Sequence, residues 1–351
     1  MSKKLKFRII SLIVSIVFLS TSGQIALAKN GDPKDQSVKT VFLDDHTFYK
    51  VVPDDFDLVN ASDEKLAAYG LPERPSDPIE KEKWKKEMAD LEWVSPTVET
   101  FPDDIKVGGS SQLFNNDSTK STDRVFSTQS SNWCGYIYNS TAFGVTGRIV
   151  VPTVYAPSNY RPAGTAQWVG LGGASVGKLA QNGVFEYVSS SGTISYYAFY
   201  ETIGTDVDPS ANYLSNFTVS PGDDVYFITS ITPLPSSGID VSYFFANYTT
   251  NKYTNVTVTI TSYSGITNTA EWIFERPNTS SGYLYLARPT VSSSYEVNFT
   301  NCQYKVAYNT SYILASSGIQ CDIYNSSTGN TLATSSSLSS GAFTATWENY
   351  N

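Results

Sequence analysis

Two glutamates lie four positions apart in the stretch EWIFERP, residues 271–277, within a run of Trp, Ile and Phe. A carboxylate can take a proton from water and return it to a leaving group, so a glutamate beside a groove could serve as general base and general acid. If the run is a β-strand, Trp272 and Phe274 share one face and Glu271 and Glu275 share the other. We expect the Trp/Phe face to pack inward and the glutamate face to point out of one sheet.

A second stretch, ISYYAFYETIG at 194–204, alternates in the same way. On a strand it places Tyr197, Phe199 and Glu201 on one face. Two strands that present aromatic rings and a carboxylate on an outer surface would form a substrate groove. The rings would bind the substrate and the carboxylate would transfer a proton.

The same pattern also fits a sheet face without catalytic function. Carboxylates on solvated sheet faces are common, and Glu275 could pair with Arg276 or Arg288. From alternation alone we favour this simpler interpretation. Alternation also does not choose between Glu271 and Glu275.

Histidine and cysteine content restricts the available chemistry. The one histidine, His46, lies in the charged N-terminal third, so a domain that begins at 127 cannot use a Ser-His-Asp or Cys-His site. Cys134, Cys302 and Cys321 lack CxxC spacing, so we predict no metal site and no cofactor. If one disulfide forms, we favour Cys302–Cys321. The chemistry must therefore come from carboxylates, amides, hydroxyls or Lys/Arg.

Charge is distributed unevenly along the chain. The net charge of −9 argues against a nucleic-acid partner, which would need a basic patch. Of 24 Lys+Arg and 33 Asp+Glu, only seven and twelve follow residue 125. A domain with so few carboxylates should lose little stability on acidification.

The first 28 residues have the features of a secretory signal peptide. MSKKLKFRII is a basic start, an apolar run follows, and Ala26-Leu27-Ala28 is a small-x-small cleavage signature. The apolar run is too short to span a bilayer comfortably. We therefore expect cleavage after Ala28, secretion, and no membrane association afterwards.

The charged stretch at 29–107 contains one predicted helix, in SDPIEKEKWKKEMADLEW, with Trp84, Met88 and Leu91 on one face. We interpret 29–107 as a propeptide, because a solitary helix here separates a signal peptide from an unlike domain. Residues 108–126 form a polar Ser/Asn/Thr linker of the kind that is nicked by proteases.

Residues 127–351 consist of short alternating runs such as DDVYFITSI, DVSYFFANY and NVTVTITSY, separated by Gly, Pro, Asn and Ser. This pattern predicts an all-β domain, a two-sheet antiparallel β-sandwich. GGASVGKL, 172–179, nearly matches a phosphate-binding loop, but Leu179 replaces the required Ser/Thr and the stretch lies between strands. We interpret it as a glycine-rich turn.

Seven segments, in this order, resemble the glutamic peptidases, the eqolisin family. They are SNWCGY (131–136), GRIVVPTV (147–154), AQWVGLGG (166–173), KLAQNGVFE (178–186), YYAFYETIG (196–204), SPGDDVYFI (220–228) and TNTAEWIFERP (267–277). The resemblance implies a lectin-like β-sandwich with a concave groove in one bent sheet. It also implies a secreted endopeptidase that acts on peptides and proteins.

The resemblance assigns roles residue by residue. Gln181 matches the family's catalytic glutamine and Glu275 its catalytic glutamate, while Glu271 falls on a neighbouring non-catalytic glutamate. Further residues match positions that line the groove, with Tyr197 in place of a family aspartate: Trp133, Trp168, Tyr197, Phe199 and Glu201. Gly172 also stands where fungal members carry an acid. We expect these two departures to shift the pH optimum and the peptide preference.

The implied mechanism uses two side chains. Glu275 would take a proton from the attacking water, and Gln181 would donate an N–H to the tetrahedral oxyanion. Because a glutamate has an ordinary pKa of about 4.3, such a base works best in acid. The charged segment would then act as the enzyme's own propeptide near neutrality and release as its carboxylates protonate. We expect a monomer.

Two other classes of function remain open at this point. Aromatic-lined concave sheets also bind sugars, so a carbohydrate-binding β-sandwich fits the same pattern. A glycosidase could pair Glu275 with Glu201 or Glu186.

Overall fold

The computed structural model describes most of the chain. The described residues are 38–101, 105–106, 113–114, 128–174, 177–207, 210–235 and 237–351. The predicted signal peptide, 1–28, lies outside them, as does nearly all of the predicted linker, 108–126. No helix in the described part is long and apolar enough to cross a membrane.

Short strands dominate the described residues, together with two α-helices and one turn of 3₁₀ helix at Ser158–Tyr160. The helices are α1 (Asp63–Ala68) and α2 (Pro78–Met88). The first strands are β1 (Thr40–Phe42), β2 (Thr47–Lys50), β3 (Glu92–Trp93), β4 (Val98–Thr100), β5 (Ile105–Lys106), β6 (Leu113–Phe114), β7 (Thr128–Ser130), β8 (Trp133–Tyr138), β9 (Gly144–Val150), β10 (Thr153–Tyr155), β11 (Ala163–Gly172), β12 (Leu179–Val188), β13 (Ile194–Ile203) and β14 (Asn212–Leu214). The remaining strands are β15 (Asp224–Pro233), β16 (Ile239–Asn247), β17 (Lys252–Ile260), β18 (Ala270–Glu275), β19 (Asn278–Thr279), β20 (Gly282–Tyr283), β21 (Tyr285–Leu286), β22 (Arg288–Thr290), β23 (Glu296–Lys305), β24 (Ile313–Leu314), β25 (Ile319–Asn325), β26 (Asn330–Ser335) and β27 (Phe343–Trp347).

The long strands form two mainly antiparallel layers. Sheet A has the order β24-β23-β9-β15-β16-β17, and β2 and β3 pair with β17. Sheet B has the order β14-β13-β12-β11-β18-β8-β25-β26-β27. β23 joins the layers, because Glu296–Phe299 pair with β27 and Thr300–Lys305 pair with β9. The predicted all-β sandwich is confirmed.

Side chains alternate between the two faces of each strand, and this alternation determines which residues lie in the core between the sheets, as expected for a β-sandwich. Trp272 and Phe274 of β18 lie in the main apolar core, and the Trp272 indole Nε1 donates to the Thr146 carbonyl of sheet A at 2.7 Å. On β13, Ala198 and Tyr200 enter the same core. The opposite faces of both strands therefore point out of the sandwich, as the sequence predicted.

The N-terminal helix α2 forms where its sequence indicated. The Asp77 carboxylate caps it by accepting hydrogen bonds from the backbone N–H groups of Ile79 and Glu80 at 2.9 and 3.0 Å. Trp84 and Met88 are buried in a cluster with outward-facing side chains of sheet A. The sequence did not predict α1, because six residues are too few to show a helical period.

The expected Cys302–Cys321 disulfide is wrong, since Cys134, Cys302 and Cys321 are all free and buried. Cys302 packs in the core between the sheets, whereas Cys321 packs in a separate cluster on sheet B. The two thiols therefore belong to different layers of the fold.

The glycine-rich stretch is a turn between two strands, as predicted. β11 ends at Gly172 and β12 begins at Leu179. Gly172 has a φ of +85°, and a Cβ there would lie 2.2 Å from the Lys178 carbonyl oxygen. Only glycine fits this position.

Candidate active site

The face of sheet B that points away from the sandwich core is called the groove face here. Strand register arranges its side chains in three rows, read across β8, β18, β11, β12 and β13. The first row is Ile137, Glu271, Gly170, Gln181 and Glu201; the second is Gly135, Ile273, Trp168, Gly183 and Phe199; the third is Trp133, Glu275, Ala166, Phe185 and Tyr197. All seven residues predicted for the site lie on this one face.

Three N–H donors hold the Glu275 carboxylate. Its Oε1 accepts from the Asn132 side-chain amide at 3.0 Å and from the Trp133 indole Nε1 at 3.3 Å. Its Oε2 accepts from the Trp168 indole Nε1 at 2.6 Å. Because Glu275 is only 1% exposed, these donors replace the water that a carboxylate would otherwise need. The two tryptophans of the groove face therefore hold the carboxylate in place.

The interpretation of Glu275 as a solvated surface acid paired with arginine is wrong. Arg276 is itself buried, and it donates to the Leu284 carbonyl at 2.6 Å and to Asn351 at 2.9 Å. Burial lowers the pKa of Arg276 to about 10. Arg288 instead lies over aromatic rings, the nearest being that of Tyr295 at 4.4 Å. The glutamate face of β18 points away from the sandwich core, yet Glu271 and Glu275 on it are buried.

Gln181 is fully buried, and its amide Nε2 donates to the Glu201 carboxylate at 2.8 Å. The two residues face each other directly across the β12–β13 ladder. An amide nitrogen carries two N–H groups, so a bond to Glu201 orients the second one. This contact with the predicted groove residue Glu201 orients the Gln181 amide.

Gln181 and Glu275 lie on the same face but not in the same row. They are separated by one strand, β11, and by four positions along it, because Gln181 pairs with Gly170 and Glu275 pairs with Ala166. Trp168 lies on the diagonal between them. A Cβ at Gly170 would come within 2.9 Å of the Trp168 ring, so the glycine leaves space for the indole.

Glu271 is also fully buried but has no comparable donors. Burial raises its pKa well above the usual range, with the Thr269 hydroxyl offsetting only part of that rise. Its neighbours in the row are Ile137 and Gly170, neither of which carries a side-chain donor. Burial without such donors therefore favours the neutral acid form of Glu271 over the carboxylate.

Glu186 does not belong to the groove face, so its pairing with Glu275 in a glycosidase is excluded. It lies on β12 at the opposite parity to Gln181, and its pKa is raised well above the usual range by complete burial. Gln167, its neighbour on β11, donates to its carboxyl group at 3.1 Å. This contact provides a hydrogen bond for the buried carboxyl group, which supports a structural role for Glu186.

Two residues at the candidate site, Asn132 and Phe101, were not predicted from the sequence. Asn132 lies in the SNWCGY motif, and its position beside Trp133 is the signal that could have identified it. Phe101 comes from the predicted propeptide, far from the motifs, and nothing in its local sequence indicates a role. Its ring lies 5.5, 5.0 and 4.8 Å from the rings of Phe185, Tyr197 and Tyr213.

The segment around Phe101 is bound to sheet B by its backbone. β4 pairs antiparallel with β14, and the Phe101 N–H donates to the Ala211 carbonyl at 3.0 Å. A little further along the chain, β5 pairs with β19, which begins three residues after Glu275. The described parts of this segment are thus attached on both sides of the groove face.

No cluster of three or more metal-ligating side chains occurs among the described residues. The polar atoms on the groove face are carboxylates, amides and indole N–H groups, which can move protons and stabilise an oxyanion.

Comparison with solved structures finds matches to two crystal structures of scytalido-glutamic peptidase with transition state analogues, at TM-scores of 0.49 and 0.48. A third match is SCP-B, a member of the eqolisin family in complex with the tripeptide Ala-Ile-His, at a TM-score of 0.45. Each is 21% identical, and each alignment covers 62% of this chain and 98% of the other. A search of curated proteins finds no match.

A family model provides the assignment. The model described as the Peptidase A4 family matches residues 131–347, which is more than half of the chain. The matched region includes both layers of the sandwich and every predicted residue of the groove face. The chain therefore belongs to the Peptidase A4 family, the eqolisin family of glutamic-type peptidases.

Proposed function

We propose that this peptidase is an acid-acting endopeptidase in which Glu275 is the general base and acid and Gln181 stabilises the oxyanion. The observation that carries the proposal is the Glu275 carboxylate, buried on the groove face and held by Asn132, Trp133 and Trp168. These three neutral donors orient the carboxylate. A carboxylate so placed is suited to accept a proton from a bound water.

The reaction begins when Glu275 removes a proton from this water as its oxygen attacks the scissile carbonyl carbon. The carbonyl oxygen becomes an oxyanion in a tetrahedral intermediate. Collapse of the intermediate breaks the C–N bond, and the protonated Glu275 returns its proton to the leaving amine. The carboxylate is regenerated, and no covalent bond to the enzyme forms.

Gln181 cannot act as a base, because an amide has no basic nitrogen near neutrality. With one N–H donated to Glu201, it can direct the second towards the oxyanion. One such donor contributes about 2.7–4 kcal/mol to catalysis in well-studied hydrolases. Glu201 is therefore a positioning residue.

The remaining glycosidase alternative, Glu275 with Glu201, is not favoured by the register. The two residues lie three strands apart in sheet B, on the order of 14 Å between backbones at ordinary strand spacing. Paired carboxyl groups of glycosidases are about 5–9.5 Å apart. A carbohydrate-binding module would not need the Glu275 arrangement at all.

We include in the proposal that 29–107 is a propeptide, 108–126 the maturation region and 127–351 the peptidase domain. Two ion pairs support it, Glu87–Arg148 and Glu73–Lys305, each at 2.7 Å. In both, the acid comes from the N-terminal segment and the base from the sandwich. The two ion pairs therefore hold the N-terminal segment against the sandwich.

Secretion belongs to the proposal as well, supported by the signal-peptide features of residues 1–28. A secreted acid peptidase acts on exogenous proteins and peptides, and we expect it to work as a monomer. The few charges after residue 125 suit a domain that must remain folded in acid.

The test is digestion of a denatured protein by the full chain at pH 4, with SDS gels recording both the substrate and the enzyme's own processing. We expect hydrolysis by the wild type, and over the same incubation no hydrolysis detectable on the gel by either Glu275→Gln or Gln181→Ala. If the protein instead hydrolyses an oligosaccharide, and Gln181→Ala retains that activity, a glycosidase would replace the peptidase proposal. If the unprocessed chain is fully active at pH 4, the assignment of 29–107 as a propeptide is refuted.

A further inference from the structure

Phe101 occupies a pocket on the groove face that is built from aromatic rings. The pocket consists of Phe185, Tyr197 and Tyr213, and Phe101 is 5% exposed within it. Two of the three contacts are edge-on, with interplanar angles of 80°. Edge-to-face pairs of this kind stabilise a bound ring beyond the burial of its area.

The backbone beside Phe101 binds as an added β-strand. β14 pairs with β13 on one side and with β4 on the other, so β4 takes the place at the edge of this part of the sheet. Thr97 extends the pairing, accepting from the Ser215 N–H at 2.9 Å and donating its own N–H to Asn216 at 2.8 Å. An exposed edge such as β14 binds any extended peptide by the same main-chain hydrogen bonds, while pockets select the side chains.

The pocket lies at a defined distance from Glu275. Phe185 is in the same row as Glu275, with Ala166 on the strand between them. Two strand spacings are about 10 Å, the length of about three residues of extended chain. Because Ala166 has a small side chain, a peptide can cross this row of the groove face without a steric clash.

We infer that Phe185, Tyr197 and Tyr213 form a specificity pocket for an aromatic or large apolar side chain of the peptide substrate, about three residues from the cleaved bond. Phe101 fills this pocket in the unprocessed chain, in the manner of a substrate side chain. The inference rests on the proposed endopeptidase function, and it adds the class of substrate.

The first experiment uses wild-type enzyme and a peptide of residues 95–106, SPTVETFPDDIK, added to the acid digestion of a denatured protein. We expect the peptide to inhibit, and its Phe101→Ala version to need a concentration about 30-fold higher, because a buried phenyl group is lost. The matched control is the Thr97→Ala peptide, whose exposed side chain has no partner in the segment's pairing, and it should inhibit like the parent. Equal inhibition by the Phe101→Ala peptide, or none by any peptide, would overturn the pocket.

The second experiment maps cleavage sites in a mixed peptide library by mass spectrometry, with the full chain at pH 4. We expect aromatic and large apolar residues to be enriched about three positions from the cleaved bond, on one side of it. Tyr197→Ala should reduce this enrichment about tenfold while other cleavages continue. Tyr308→Ala, an exposed tyrosine outside the groove face, is the control.

The outcomes separate the pocket from the proposed function. If cleavage disappears in Glu275→Gln but shows no aromatic preference in the wild type, the specificity pocket is refuted and the endopeptidase proposal stands. The same holds if the aromatic preference is unchanged in Tyr197→Ala. Absence of Glu275-dependent cleavage in the wild type would refute the endopeptidase itself.

Discussion

The two ends of β18 carry the same side chain on the same face, yet they have different chemistry. Glu275 and Glu271 are 1% and 0% exposed, so burial does not distinguish them. Glu275 receives three side-chain N–H donors, whereas burial leaves Glu271 with a pKa raised well above its usual range. A buried carboxylate stays useful as a base only where the fold supplies donors to its charged form.

Strand register causes the difference. The row of Glu275 begins with Trp133, and Trp168 is the diagonal neighbour on β11, so two indole N–H groups converge on it. The row of Glu271 offers Ile137 and Gly170 instead. Four residues along one strand thus separate a site with hydrogen-bond donors from a site without them.

The strongest test of this comparison replaces each glutamate with glutamine. Glu275→Gln should lower kcat/KM by about 10³–10⁴, because the proton-transfer group is lost. Glu271→Gln should stay within about threefold of wild type, since a glutamine resembles the neutral acid already present and transfers no proton. Initial rates on a fluorogenic peptide at pH 4 measure both. A large loss in Glu271→Gln with Glu275→Gln still active would reverse the assignment.

The partner of Glu275 is tested next. Gln181→Ala should reduce kcat by about 10²–10³ with little change in KM, as expected when one oxyanion donor is removed. Glu201→Gln should cost less, about tenfold, because it disturbs only the orientation of the Gln181 amide. Steady-state kinetics separate kcat from KM. An effect of Gln181→Ala confined to KM would mean that Gln181 binds substrate without stabilising the transition state.

The protonation of Glu271 predicts how stability depends on pH. Its pKa is raised in the folded state, so the unfolded chain releases a proton above about pH 4.3 while the folded chain keeps it. The free energy of unfolding should therefore fall by up to about 1.4 kcal/mol per pH unit as pH rises above that value, until the raised pKa is reached. Glu271→Gln should remove this contribution and raise stability near pH 7, with the similar contribution of Glu186 remaining.

Urea unfolding between pH 4 and pH 7 measures the effect, in a Glu275→Gln background that prevents self-digestion. Glu348→Gln, at an exposed glutamate, is the matched control. An identical slope with and without Glu271 would show that this carboxyl ionises normally in the folded protein.

The smallest effect concerns an exposed carboxylate. Glu99 of β4 accepts a hydrogen bond from the Tyr213 hydroxyl, and this bond lowers the Glu99 pKa. The bond therefore favours binding of the segment above the ordinary glutamate pKa and is lost as pH falls through the lowered value. Glu99→Gln should raise the initial rate of self-processing near pH 5 about threefold or less, since exposed contacts contribute little. An unchanged processing rate across pH 4–6 would exclude this contact from the acid response.

Local patterns in the sequence predicted several features correctly. Alternation assigned Trp272 to the core and Glu275 to the opposite face, because a strand has a strict two-residue period. The same rule separates Gln181 from Glu186, which lie five residues apart and thus on opposite faces, so the wrong pairing of Glu186 with Glu275 could have been avoided from the sequence. Capping at Asp77 predicted the start of α2 for an equally local reason.

The sequence by itself determined the strand pattern, the lack of histidine after residue 46, and, through family motifs, the two residues proposed for catalysis. Only the tertiary structure decided that Glu275 is buried among Asn132, Trp133 and Trp168, and that Phe101 lies against the groove rings. These contacts join residues more than 80 positions apart, and they depend on which strands pair and in which register. Periodicity describes one strand at a time, so it indicates where a side chain points but not what the neighbouring strands place against it.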